Sequence, residues 1–146
     1  MIYHLYGYKK EYHDNVLKIA FENCDAFSVT VYKYVHKKDL SDNYYSFMQT
    51  IELYELDKSD YILPDYRVAK QQLHIYRLCK NTKKIISEIP SFDDWHSPEL
   101  PFDLSFYCNK RAFMWYITME DLFFIDTDDI AVIDKIKEIG LSILPY

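Results

Sequence analysis

The chain has 146 residues and a formal net charge of −6, and it carries only 2 glycines against 15 Tyr, 9 Phe and 2 Trp. Loops that close the backbone onto phosphates or dinucleotides need clustered glycines; Gly7 and Gly140 lie near opposite ends of the sequence, so both loop types are excluded. With 49% hydrophobic and 27% charged residues, the chain is neither disordered nor collagenous, and its length predicts one domain over residues 1–146.

Residues 1–8 read as a first strand, rich in β-preferring Ile2 and Tyr6. Residues 10–24 shift to helical spacing, with Tyr12, Val16, Ile19 and Ala20 on one stripe. Residues 27–36 alternate, which predicts a strand with Phe27, Val29, Val31 and Val35 on one face and Tyr32, Tyr34 and His36 on the other. From Leu40 to Ile51 the period is helical again, with Asp39 or Ser41 as cap. Residues 67–78 read as a strand in which His74 and Tyr76 share a face. A short helix follows, capped by Asn81 or Thr82, carrying Ile85, Ile86 and Ile89 and ended by Pro90. Residues 91–101 form an irregular loop.

Three strands at 102–107, 111–119 and 122–126 have short polar breaks that suit an antiparallel meander. The last helix spans about 128–139, capped by Asp126 or Thr127, with Gly140 at the position that favours a left-handed residue. The order β-α-β-α-β-α-β-β-β-α predicts an α+β fold, a mostly antiparallel sheet of five to six strands packed with three to four helices.

The negative charge is uneven. Residues 1–90 hold 13 Lys and Arg against 12 Asp and Glu, whereas residues 91–146 hold 4 against 11. This balance argues against nucleic acid, which needs a sustained cationic face, and favours a basic protein partner. Cys24, Cys79 and Cys108 are odd in number and far apart, unlike a disulfide framework or a structural zinc site. No signal-like or membrane-spanning apolar run is present, so the expectation is a soluble, cytoplasmic protein with no membrane partner.

The candidate sites are few. Glu120, Asp121, Asp126, Asp128, Asp129 and Asp134 fall in a stretch free of Lys and Arg. A calcium loop counted from Asp126 would need Gly at the position of Ala131 and Glu at that of Lys137, so calcium is excluded. The cluster then reads either as helix capping with a solvated face, or as an acidic docking surface formed by Asp126, Asp128 and Asp129. The 91–101 loop gathers Asp94, Trp95 and His96; a histidine among carboxylates can act as a general base, and Trp95 can either plug the core or bind. The five histidines show no metal spacing, and neither a metal nor a cofactor is expected. Tyr32 and Tyr34 qualify as interface residues, because tyrosine offers contact area and a polar tip at low entropic cost.

The run Trp95-His96-Ser97-Pro98-Glu99-Leu100-Pro101-Phe102-Asp103-Leu104-Ser105-Phe106-Tyr107, followed by the aromatic stretch 111–119 and the turn Glu120-Asp121, resembles a family of small uncharacterised proteins of Gram-positive bacteria, some of them labelled stage III sporulation proteins. The resemblance implies no activity and carries over Glu120 alone. The expected function is a non-catalytic protein-binding module with Asp126, Asp128, Asp129, Trp95, Tyr32 and Tyr34 at its surface, a profile similar in composition to that of bacterial immunity proteins. The alternatives are an enzyme with a site assembled from His96, Asp94 and Glu120 around the 91–101 loop, and a sporulation-related or structural subunit.

Overall fold

A computed structural model describes residues 1–64 and 72–146. In chain order these form β1 (Ile2–Tyr6), α1 (His13–Asn23), β2 (Ala26–Thr30), α2 (Asp42–Ile51), β3 (Glu55–Leu56), β4 (Leu73–Arg77), α3 (Lys80–Ser87), β5 (Phe102–Cys108), β6 (Arg111–Ile117), β7 (Leu122–Asp126), α4 (Ile130–Ile139) and β8 (Ser142–Pro145). The strands make one sheet in the order β3-β4-β2-β5-β6-β7-β1-β8, every neighbouring pair antiparallel. The fold is thus α+β with an antiparallel sheet and four helices, as the residue pattern predicts. The sheet has eight strands rather than five or six. The two additional ones, β3 and β8, are its edges.

Strand alternation gives each sheet face its own core. One face carries Phe27, Val29, Leu104, Phe106, Tyr116, Phe123 and Ile125, and all four helices cover it through Val16, Leu17, Ile51, Ile86, Val132 and Ile136 among others. The other face carries Ala26, Leu73, Ile75, Tyr107, Trp115 and Phe124, covered in part by Leu56, Tyr61 and Leu63. The segment bearing Tyr61 is pinned by backbone bonds from Ile62 to Lys110 (2.8 Å) and from Ala112 to Ile62 (2.9 Å). The aromatic surplus is therefore mostly core.

The helix starts depart from the expected caps in two of three cases. Ser41 caps α2, its Oγ accepting from the Tyr44 N–H at 3.3 Å. At α3 the capping residue is Cys79, whose N–H donates to Thr82 Oγ1 at 2.8 Å. At α4 the cap is Asp129, with Oδ1 accepting from the Ala131 N–H at 2.9 Å. In each case a side-chain acceptor sits within three residues of an orphan N–H, and several neighbouring polar residues satisfy that rule equally well in sequence.

The strand expected at 27–36 ends at Thr30. Val31 makes a last bond to the Gln72 carbonyl (2.7 Å), and on the other side the β2–β5 register shifts between Ser28 and Thr30, next to Asp103, whose φ is 60°. The extra residue lies on β5 and pairing resumes at Thr30 with Phe102; β2 ends there, level with the first residues of β5 and β4, so Tyr32, Tyr34 and His36 stand on a loop. Of the strand expected at 67–78, residues 67–71 lie outside the described residues; the remainder is β4.

Candidate functional site

The loop after β2, the start of α2 and the first residue of β5 enclose a cleft of about 490 Å³. Its aromatic lining comes from Tyr32 on the loop, Tyr44 and Tyr45 on α2, and Phe102 on β5; Lys33 and Lys37 also line it. Each wall is tied to its neighbour. Tyr32 packs edge-on against Phe102, with centroids 5.1 Å apart, and stacks on Tyr34 at 5.2 Å. Tyr34 donates its hydroxyl proton to Met119 Sδ at 2.7 Å. Tyr45 donates to the Lys37 carbonyl at 3.2 Å, and the Ser41 N–H donates to the Pro98 carbonyl at 3.0 Å, joining α2 to the 91–101 loop.

Behind this wall lies Asp103, fully buried. Its Oδ2 accepts from Tyr32 at 2.6 Å and its Oδ1 from the Thr118 N–H at 2.8 Å. Burial raises its pKa, and these hydrogen bonds oppose the rise.

On the far side of the start of α2 is a second groove of about 490 Å³, in which Asp94, His96 and Glu99 stand over Phe47, Ile89 and Leu100. His96 Nδ1 lies 2.7 Å from the Ser97 carbonyl, a contact that requires the proton on Nδ1 and leaves Nε2 as the lone-pair nitrogen of the neutral ring. The structure therefore brings Asp94 and His96 to one groove. Glu120 does not line it: that residue ends the turn after β6 and acts electrostatically on Asp103. Among the described residues, none lining the groove is a serine, threonine or cysteine.

The acidic residues have local partners. Asp126 is largely buried and accepts from Arg111 Nε at 3.1 Å. Asp126 and Asp128 lie 3.3 and 2.9 Å from the Met1 ammonium, and Asp129 caps α4. Strand register puts Asp126 level with Ile2 and Phe102 level with Thr30, at opposite ends of strands that span about 15 Å. The acidic residues and the tyrosines expected on one surface occupy separate ends of the sheet. Trp95 has no exposed surface and packs edge-on against Phe47 at 5.5 Å.

One polar constellation has no linear signature at all. Tyr8 Oη accepts from the Phe92 N–H at 3.1 Å and lies 2.8 Å from His13 Nδ1 and 3.2 Å from Ser91 Oγ. The neighbouring Tyr116 hydroxyl contacts the carboxylates of both Asp93 and Asp121. Burial raises the pKa of Tyr116 most, and the two carboxylates raise it further. The sequence pattern does not single out Tyr44, Tyr45, Phe102, Lys33 or Lys37 as cleft residues; the adjacent tyrosines at the start of α2 are the available signal.

Among the described residues no group of three or more His, Cys, Asp or Glu side chains is placed to share a metal ion, and no helix is long and apolar enough to cross a membrane. Comparison of the chain with protein-family models, curated proteins and solved structures finds no match.

Proposed function

We propose that the chain is a non-catalytic protein-binding module that engages its partner through the tyrosine-lined cleft. The observation that carries this reading is the convergence of Tyr32, Tyr44, Tyr45 and Phe102, from three separate segments, on one open cleft. Most of the other aromatic rings are packed into the two cores, whereas Tyr45 is left exposed and Tyr32 half-buried at the cleft, which forgoes burial worth about 25 cal/mol per Å² of apolar surface. Tyrosines in such settings are common anchors of protein interfaces. The support for an acidic docking face is thinner, because Asp126 and Asp129 already serve the sheet end and a helix cap. Tyr45 is 47% exposed, so Tyr45→Ala tests the cleft without emptying a core. Partner recovered with the wild-type chain should be lost with Tyr45→Ala at unchanged melting temperature; equal recovery refutes the proposal.

A second reading rests on His96. Its imidazole is oriented by the Ser97 carbonyl, with Asp94 and Glu99 lining the same groove, an arrangement that suits a general base acting on a bound substrate. If turnover is found with any substrate, His96→Gln should abolish it.

A further inference from the structure

We infer that the occupant of the tyrosine-lined cleft is an acidic peptide segment, aspartate- or glutamate-bearing with an aromatic or apolar anchor residue. This rests on the reading of the cleft as a protein-binding site and adds the chemistry of the partner. The first argument is charge. Residues 31–38 contain Lys33, His36, Lys37 and Lys38 and no Asp or Glu. Lys33, His36 and Lys37 all line the cleft and are exposed. Among the described residues the ion pairs involve none of them. In a chain of net charge −6, this is a local cationic lip on an otherwise acidic molecule.

The nearby carboxylates do not neutralise that lip by an ion pair: among the described residues Asp39, beside Lys38, and Asp42, at the start of α2, form none. Asp103 is buried and its two oxygens accept from Tyr32 and the Thr118 N–H. The second argument is hydrogen bonding. Tyr44 lines the cleft, is almost wholly buried, and its hydroxyl makes no hydrogen bond among the described residues. Burial raises its pKa, so it remains a neutral donor, and a carboxylate is the acceptor that gains most from such a donor. The third argument is size: about 490 Å³ falls within the range of built ligand clefts and accommodates one large anchor side chain with its acidic neighbour. The net charge of the molecule opposes the approach of an anion at long range, so the affinity must come from the lip itself.

The probe is a set of three synthetic peptides, acetyl-Asp-Phe-Asp-Leu-Asp-amide and its counterparts with Asn or Lys in place of every Asp, titrated into the ¹⁵N-labelled full chain. The acidic peptide should shift the amides of residues 31–37 and 40–45 in a saturable manner. The Asn peptide should bind about fivefold more weakly, the loss of roughly one exposed charge pair, and the Lys peptide should leave those amides unmoved. Lys33→Gln with Lys37→Gln should weaken the acidic peptide by a similar factor at unchanged melting temperature. Equal binding by the Asn peptide in the same cleft overturns the acidic occupant while leaving the cleft as a binding site. No shift from any peptide at about 5 mM, well above a weak dissociation constant, also overturns it, and the fate of the cleft reading is then decided separately by partner capture with Tyr45→Ala.

Discussion

Tyr32 donates its hydroxyl proton to Oδ2 of Asp103 at 2.6 Å, linking residues 71 apart in sequence. The bond fastens the loop leaving β2 to the bulged start of β5, and so fixes one wall of the cleft. Tyr32→Phe keeps the ring against Phe102 and Tyr34 but leaves a fully buried carboxyl short of a donor. That should lower unfolding stability by about 1–3 kcal/mol, read as a shift in the urea midpoint. An unchanged midpoint would show that the bond does not hold the wall.

Two buried groups should tilt stability with pH in opposite directions. His13 is held below its ordinary value of 6.5 chiefly by burial, with the Ile89 backbone and the carboxylates of Asp14, Asp94 and Asp93 recovering part of the shift. The unfolded chain therefore takes up a proton first, and stability falls as pH drops below about 6.5. Burial holds Asp103 above its ordinary 3.8, so the folded state keeps its proton longer and stability falls as pH rises above 3.8 through its raised pKa. His13→Gln should flatten the first slope and Asp103→Asn the second in chemical denaturation from pH 4 to 8. The slope is the readout, since either change also alters the overall level; a slope that survives its substitution belongs to another group.

The three thiols should differ in reactivity. Cys79 stands at the start of α3, where the Thr82 N–H, and then the Thr82 side chain and the Asn81 N–H, hold its pKa down against a lesser effect of burial. Burial drives Cys24 the other way, far above the ordinary thiol range. Since the thiolate is the nucleophile, iodoacetamide at neutral pH should modify Cys79 at least about tenfold faster than Cys24. Peptide mapping by mass spectrometry measures both sites in one sample, and comparable rates in the folded protein would contradict this assignment.

Gly140 ends α4 at φ +120°, and a Cβ built there would stand 2.9 Å from Tyr12 Oη. Gly140→Ala should cost about 1–2 kcal/mol for the backbone conformation alone, and Tyr12 must move in addition. Gly7 also has positive φ, at +79°, but nothing lies within 4 Å of its Cβ position. The Gly7→Ala change should therefore be the milder of the two in thermal denaturation, and the reverse order would remove Tyr12 from the explanation.

The helices and the meander were legible because their apolar spacing is continuous: Leu40 to Ile51 keeps a helical period, and 102–126 breaks only at short polar turns. The exit of the chain from β2 was not, because Val31 to His36 continues to alternate after the ladder ends, and that end is set by where its partner β5 begins, at Phe102, some seventy residues downstream. Strands β3 and β8 escaped for a different reason. One has two residues and the other carries Pro145, and each exists only because a sheet edge is present to pair with it. Asp94 and His96 line one groove as near neighbours in sequence, whereas Glu120, some twenty-five residues on, does not line it. The cleft required Tyr32, Tyr44 and Phe102 to meet from separate segments, which a linear pattern does not encode.

The pairing of β1 with β7 and β8 sets an order of assembly during synthesis. About 120 residues separate β1 from β7, which at ribosomal rates is roughly 6–24 s of elongation. Throughout that interval Leu5, almost wholly buried in the finished fold, lacks the strand that shelters it. The strands of the β5–β6 hairpin, joined by a short turn, wait only about 1 s for one another. The first strand made is thus among the last to be locked, and a nascent chain stalled before residue 122 presents an open β1 edge to any factor that recognises extended apolar segments.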